Sequence, residues 1–318
     1  MCPYTPKHTK GSKNIMNQMG YACINMELSN SKPKITTNRS MIKRTFIDKG
    51  LPYASQLTLE NCKDLLTILK WNNDNGFKFF RMSSDLIPWA SEYDICDLPD
   101  YDEIKEVLSE CGKYAKDNSM RITSHPGPFN VLTSPHEHVV ENCIKDLSIH
   151  GEVFDMMNLS RTPYNKINIH IGGVYGDKES AMKRFCENFK RLPDSVKTRL
   201  TVENDDKASM YSVVDLYEGV YKVIGIPIVF DYHHHRFNTG GLSEKDALEV
   251  AISTWINVVP VVHYSESRSI EQEDDKIRPQ AHSDYIYDYI DTYGNQVDIM
   301  VEAKAKELAV LRYKEIHK

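Results

Sequence analysis

The sequence lacks the features that mark a secreted or membrane-spanning protein. Its apolar runs are far shorter than the roughly 20 residues that cross a bilayer, and the polar start MCPYTPKHTKGSKN has no signal-peptide core. The seven cysteines form no CxxC pair and are odd in number, which is typical of free thiols in a reducing compartment. We therefore expect an intracellular protein, in the cytoplasm, the nucleus or a viral replication compartment, that is not secreted and has no membrane partner.

An excess of positive charge is also lacking. The chain has 39 Lys and Arg against 45 Asp and Glu, a net charge of -6. This balance excludes a general attraction for nucleic acid, so a polyanionic partner would have to meet a local basic surface.

What the chain does contain is a long alternation of short apolar runs and amphipathic stretches. Strands are predicted at 19–25, 77–83, 120–125, 166–173, 199–205, 226–232, 257–265 and 296–303. Helices are predicted at 60–76, 101–117, 135–154, 178–191, 211–223, 243–254 and after the last strand. This series predicts a flexible polar arm at 1–17 and a single α/β domain, a (β/α)8 TIM barrel, over 18–318. The seventh helix, between the strands at 257–265 and 296–303, has the least support because 266–295 is mostly polar.

Polar side chains end nearly every predicted strand. They are Asn25, Arg81, His125, His170, Glu203, Asp231 with His234, His263 and Glu302. Because the C-terminal ends of parallel strands open onto one face of a barrel, these side chains should meet in one pocket. Imidazole and carboxylate groups are ligands that suit Zn²⁺ or Mn²⁺. Without cations, so many of these groups in one pocket would repel one another or would be costly to remove from water. The sequence therefore predicts a cluster of two or three divalent metal ions.

Single members of this set have ordinary alternatives. One strand-end histidine alone is more often a hydrogen-bonded core or loop residue, and the run HHH at 233–235 could be solvated. Successive side chains alternate in direction, so only one or two of these three can face the pocket. The prediction of a metal site depends on the agreement of all the strand ends.

A series of segments resembles the UV damage endonuclease family. In order they are GYACIN, TTNR, NNDNGFKFFRMSSDLIPWAS, SHPG, IHIGGVYGDK, VENDD, VFDYHHH, VHYSES, RPQAHSD and DIMVEAKAKE. The resemblance spans about residues 19–308. It implies a TIM barrel with a three-metal centre, related to the endonuclease-four group of abasic-site nucleases, that cuts the phosphodiester 5′ to a damaged nucleotide. The implied partner is damaged double-stranded DNA, and no segment indicates an obligate protein partner.

The resemblance also implies roles for single residues. The implied metal ligands are His125, His170 and Glu203 for one ion, Glu203, Asp231, His263 and Glu302 for a second, and His234 and His282 for a third. Glu203, Asp231, Glu302 and His234 are thus the expected catalytic residues, and His233 and His235 are expected to be bystanders. Manganese is the expected metal, with zinc or magnesium as alternatives. Such ions activate water, so no protein nucleophile is expected.

DNA binding requires a basic and partly aromatic rim around this pocket. The connection 31–49 carries six basic residues against one acid and leads from the first strand onto the pocket face, so it predicts phosphate contacts. The candidates for DNA contact are Arg39, Lys43, Arg44 and Lys304 for phosphates, and Tyr21, Asn25, Trp89 and Phe129 for the opened duplex. For each of them alone, core packing or a solvated loop is the alternative.

Two positions depart from the family pattern, and two other functions stay open. Pro128 and Phe129 follow the HPG motif where the family has a glutamine and an aromatic residue, and Val261 stands where the family tends to have a lysine near the third metal. An abasic-site endonuclease would use the same metals with a different lesion pocket. A xylose-isomerase-like sugar isomerase would also place histidines and acids around metals at strand ends.

Overall fold

The structure is a computed structural model that describes residues 17–318. Its strands are β1 Met19–Ala22, β2 Phe79–Arg81, β3 Arg121–Thr123, β4 Ile167–Ile169, β5 Leu200–Glu203, β6 Ile228–Asp231, β7 Val261–Tyr264 and β8 Asp298–Val301. The predicted arm at 1–17 lies outside the described residues except for Asn17. The Asn17 side chain accepts a hydrogen bond from the Val297 N–H at 3.2 Å.

The helices surround these strands. They are α1 Met26–Ser29, α2 Lys43–Asp74, α3 Tyr101–Asp117, α4 Glu137–Met156, α5 Lys178–Phe189, α6 Asp194–Lys197, α7 Val213–Leu216, α8 Lys222–Ile224, α9 Tyr232–Phe237, α10 Glu244–Ser253, α11 Arg268–Glu271 and α12 Glu307–Ile316. Single turns of 3₁₀-helix lie at Ala90–Glu92, Ile95–Asp97 and Pro163–Asn165, and a π-helix at Tyr217–Tyr221 joins α7 to α8. Within 17–318 no helix has both the length and the apolar character needed to cross a membrane.

The strands form one parallel barrel. Their order is β3, β2, β1, β8, β7, β6, β5, β4, and every paired neighbour is parallel. An isolated parallel bridge between Ser124 and Ile167 joins β3 to β4. Here the Ser124 N–H donates to Lys166 O at 2.9 Å, and the Asn168 N–H donates to Ser124 O at 3.0 Å. The predicted (β/α)8 barrel is therefore confirmed.

Helix α2 begins at Lys43, so the prediction that it begins at residue 60 was wrong. The helix is interrupted at Gly50, where φ is 61° and ψ is -157°, a conformation that glycine adopts without strain. Pro52 follows at the start of the second segment, where a proline needs no helical hydrogen-bond donor. The basic connection 31–49 is thus a loop followed by a short helical segment from Lys43.

The predicted seventh helix is reduced to the four residues of α11. In the rest of this connection, acidic side chains satisfy backbone donors that a helix would have paired internally. Glu266 accepts from the N–H groups of Tyr287 and Asp288, and Glu271 accepts from those of Asp284 and Tyr285. The sequence around these tyrosines therefore folds as an irregular segment.

The barrel interior just below its C-terminal end is apolar on one side and polar on the other. Side chains alternate along a strand, so the residues two positions before the polar side chains predicted to meet in the pocket fill this layer. The apolar half of the layer consists of Phe79, Val229, Val261 and Met300, which pack in one cluster. The polar half consists of Thr123, Asn168 and Thr201, all fully buried.

Candidate metal centre

The C-terminal ends of the strands bring the predicted ligands together in one pocket. Within each of three groups the candidate ligand atoms all lie within 4.8 Å of one another. The groups are His125 with His170 and Glu203, Glu203 with Asp231 and His234, and Asp231 with His263 and Glu302. Glu203 and Asp231 are each shared by two groups, as bridging carboxylates between metal ions would be.

His263 links the groups, whereas His282 lies at their edge. The Nδ1 atom of His263 is 3.0 Å from Glu203 Oε2 and 3.1 Å from Glu302 Oε1. Its Nε2 atom is 3.2 Å from Nζ of the buried Lys166, whose pKa burial lowers well below its usual range. The Nδ1 atom of His282 is 3.8 Å from Glu302 Oε2, and its ring centre is 6.4 Å from that of His234.

Four of the imidazoles are anchored through Nδ1 and leave Nε2 free for another partner. The Nδ1 contacts are Pro126 O for His125 at 3.1 Å, Asp205 Oδ1 for His170 at 3.1 Å, Asn204 O for His234 at 2.9 Å and Glu302 O for His282 at 3.1 Å. Metal-binding histidines use such contacts to fix the tautomer and the ring orientation. The Nε2 atoms of His125 and His170 lie 3.3 and 3.9 Å from Glu203.

Several buried atoms of the pocket have no hydrogen-bond partner among residues 17–318. They include Asp231 Oδ2 and His263 Nδ1, and the residues of both atoms belong to the group that includes Glu302. A buried polar atom without a partner costs roughly 1 to 3 kcal/mol. A divalent cation would satisfy both atoms at once, so the donor set fits the predicted metal centre.

Burial and mutual charge set the pKa values in the pocket. Burial lowers the pKa of His125 to about 4. Burial also acts to lower the pKa of His170, but Glu203 and Asp205 outweigh it and raise that pKa to about 10. For Glu203, burial favours the neutral form, yet His263 and His170 hold its pKa well below the usual range. Glu203 is therefore ionised at neutral pH, and a cation bound by His170 must displace a proton.

Arg81 and Asp205 are site residues to which the sequence assigned no role. The Arg81 guanidinium, at the end of β2, forms an ion pair with Glu302. Burial opposes the charge on Arg81, but Glu302 outweighs burial and raises the pKa of Arg81. Asp205 anchors His170 as described above. The available signals were the position of Arg81 at a strand end and the acidic run that follows Glu203.

Four of the predicted DNA contacts are exposed at the end of the barrel that holds the pocket. Lys43 and Arg44 are exposed at the start of α2, and Lys304 is exposed in the turn after β8. Phe129 is 86% exposed in the turn after β3. These side chains are free to meet DNA, and their contacts remain a prediction.

The structure places Tyr21 and Asn25 in the protein interior. Tyr21 is fully buried, and its hydroxyl donates to Asn72 Oδ1 at 2.6 Å and accepts from Asn25 Nδ2 at 2.9 Å. The Asn25 side chain also accepts from the Leu28 N–H and so caps α1. In this structure both residues support the barrel wall and neither offers a surface to DNA.

Trp89 and Arg39 are likewise held by the protein. Trp89 stacks on Phe46 with ring centres 5.4 Å apart, and its Nε1 donates to Met41 O at 2.8 Å. Arg39 forms an ion pair with Asp64 at 2.6 Å. Arg39 therefore fastens the loop that precedes α2 to the body of that helix, and a phosphate would have to displace the carboxylate.

A cleft opens beside Phe129, between the β2–α3 connection and α4. Its volume is about 390 Å³, and its lining includes the acids Asp85, Glu92 and Asp146 together with Lys145 and His150. An acidic lining repels phosphate. A DNA backbone is therefore disfavoured inside this cleft and favoured along the basic start of α2.

Fold and pocket together define a (β/α)8-barrel protein with a histidine and carboxylate cluster suited to divalent metal ions. A family model described as UV-endonuclease UvdE matches residues 17–317. The chain belongs to this family. Membership of this family supports the function of a DNA repair endonuclease that acts on UV damage.

Individual relatives agree with this assignment. The chain is 32% identical to a putative UV-damage endonuclease of Acanthamoeba polyphaga mimivirus, covering 93% of this chain and 91% of the relative. It is 35% identical to the UV-damage endonuclease of Schizosaccharomyces pombe, covering 92% of this chain but only 49% of that longer protein. The crystal structure of SacUVDE matches with a TM-score of 0.80 and 32% identity over 95% of this chain and 100% of that one.

More distant structures show the fold alone. The 3-keto-D-glucoside 4-epimerase YcjR of E. coli matches with a TM-score of 0.55 and 10% identity over 94% of this chain and 100% of that one. At this identity the likeness carries no information on the reaction. The likeness therefore supports the sugar isomerase alternative only to the extent that both proteins have a barrel fold.

Proposed function

We propose that this protein hydrolyses the phosphodiester 5′ to pyrimidine dimers, 6-4 photoproducts and abasic sites in double-stranded DNA, using two or three divalent metal ions. The observation that carries the proposal is the set of three ligand groups that share Glu203 and Asp231. Manganese is the proposed metal, and zinc or magnesium are the alternatives for this set of nitrogen and oxygen donors.

Bound ions would supply an activated water near neutral pH and stabilise charge on the leaving oxygen. The chain provides the charge and geometry of the site. Glu203 stays ionised at neutral pH because His263 and His170 lower its pKa against the effect of burial. Arg81 adds a fixed positive charge beside Glu302, where it can face a phosphate oxygen.

DNA is proposed to lie across the pocket and along the start of α2. Lys43, Arg44 and Lys304 are exposed and carry the positive charge that phosphates require. Phe129 projects from the turn after β3 with 86% of its surface exposed, so its ring can enter a distorted duplex as a wedge. The acidic lining of the cleft beside Phe129 would repel the DNA backbone and favour its position along the basic start of α2.

The test is metal analysis of the purified protein coupled to nicking of duplexes that carry one lesion each. We expect bound divalent metal and a nick 5′ to the lesion in duplexes with a pyrimidine dimer, a 6-4 photoproduct or an abasic site. An undamaged duplex of the same sequence is the control.

The same assay separates the alternatives. Nicking of the abasic duplex alone would establish the abasic-site endonuclease instead. A metal-loaded protein that nicks none of these duplexes would contradict the proposed function. That result would favour a small-molecule substrate such as a sugar.

A further inference from the structure

The polar half of the layer below the metal centre lies directly under Glu203. Residues Asn168 and Thr201 are aligned in the register of β4 and β5, and both side chains are fully buried. Alternation along the strands places Asn168 below His170 and Thr201 below Glu203. The apolar half of the layer, by contrast, offers no hydrogen bond to the carboxylates above it.

A chain of two hydrogen bonds leads from Thr201 through Asn168 to the carboxylate of Glu203. The Thr201 hydroxyl donates to Asn168 Oδ1 at 2.7 Å, and Asn168 Nδ2 donates to Glu203 Oε2. Because an ionised carboxylate only accepts hydrogen bonds, the amide nitrogen must face Glu203. The Thr201 hydroxyl favours the same orientation because it has a proton to give to the amide oxygen.

We propose that Asn168, held by Thr201, is a positioning residue that fixes the plane of the bridging carboxylate of Glu203. The terminal torsion of a glutamate side chain is broad, so the side chain alone does not fix this plane. An amide donor fixes it without adding charge to the cluster. This inference rests on the proposed role of Glu203 as a bridging ligand.

The test compares Mn²⁺ dissociation constants, measured by calorimetry on metal-depleted full-length protein. Thr201→Val and Asn168→Leu are each expected to weaken binding by about 10- to 100-fold, the usual effect of losing a group that orients a metal ligand. Thr201→Ser keeps the hydroxyl and is expected to bind like wild type. The double variant is expected to bind no more weakly than Asn168→Leu, because Thr201 acts through Asn168.

Thr123 provides a matched control. It lies in the same buried layer, but its hydroxyl has no hydrogen-bond partner in the structure of residues 17–318. Thr123→Val is therefore expected to leave Mn²⁺ affinity within about twofold of wild type, less than about 0.5 kcal/mol. Thermal unfolding of every variant verifies that it is folded.

Several results would overturn the inference. They are wild-type affinity in a folded Thr201→Val protein, equal losses in Thr201→Ser and Thr201→Val, or an equal loss in Thr123→Val. These measurements need no DNA. A wild-type protein that binds Mn²⁺ but nicks no lesion duplex would therefore remove the proposed function and leave the positioning role intact, whereas lesion nicking with unchanged Thr201→Val affinity would remove only the positioning role.

Discussion

Replacing Phe129 by alanine is expected to separate DNA opening from protein stability. The ring is 86% exposed, so its removal should change the free energy of unfolding by less than about 0.5 kcal/mol. The turn itself should persist because Asn130 Nδ2 donates to Asp146 at 2.7 Å and to Gly127 O at 3.1 Å. A stacked or wedged ring contributes about 1 to 3 kcal/mol, so kcat/KM should fall by about 5- to 150-fold.

The assay is kcat/KM for duplexes with a pyrimidine dimer, a 6-4 photoproduct or an abasic site. We expect Phe129→Ala to reduce all three values, since an apolar wedge discriminates little among lesion chemistries. Tyr289→Ala is the control, because Tyr289 is 69% exposed and contacts His317 after the end of α12, and it belongs to neither the ligand groups nor the predicted DNA contacts. If Phe129→Ala leaves all three values within about twofold, the ring takes no part in the transition state. Pro128→Gln should change the ranking of lesions more than the maximal rate.

Three further predictions concern the metals and the phosphates. Glu203→Gln should lower nicking by orders of magnitude in a protein that stays folded, and near-normal turnover with metal still bound would contradict a bridging role. Replacing Lys43 and Arg44 together by alanine should weaken damaged and undamaged DNA alike and reduce the slope of log affinity against log salt by about 0.9 per lost contact. The control pair Lys63 and Lys70, on the outer part of the same helix and facing acids of α3, should leave that slope unchanged. Chelation should abolish nicking and lower the melting temperature, because a ligand that binds only the folded state stabilises it, and restored metal should reverse both effects.

The strands and their polar ends could be predicted because both signals lie close together in the chain. In β6 an apolar run ends at Asp231, and barrel geometry alone brings such ends together. Neither inference requires knowledge of a distant partner. For this reason the sequence could predict the barrel. It could also predict ligands that lie in one pocket although they are spread from residue 125 to residue 302.

The surroundings of the pocket depended on contacts that a local pattern does not record. Tyr21 is buried because its hydroxyl meets Asn72, far along the chain in α2. Arg39 could be read only as a basic loop residue until Asp64 was placed beside it. Asn168 lies in a strand that reads as buried, and its role depends on its partners in the next strand.

The bridge between β3 and β4 would give a bound metal ion a mechanical role as well. In the described part of the chain, only two backbone hydrogen bonds, around Ser124, join these strands, whereas the other neighbouring strands form ladders. His125 and His170 extend from the two sides of this junction, so an ion held by both would clamp the barrel where its backbone is least connected. Amide hydrogen exchange at Ser124 and Asn168 should then slow on metal binding more than exchange in β7, where the ladder to β8 already protects the backbone. In this barrel, loading with metal and resistance to local opening would be one property rather than two.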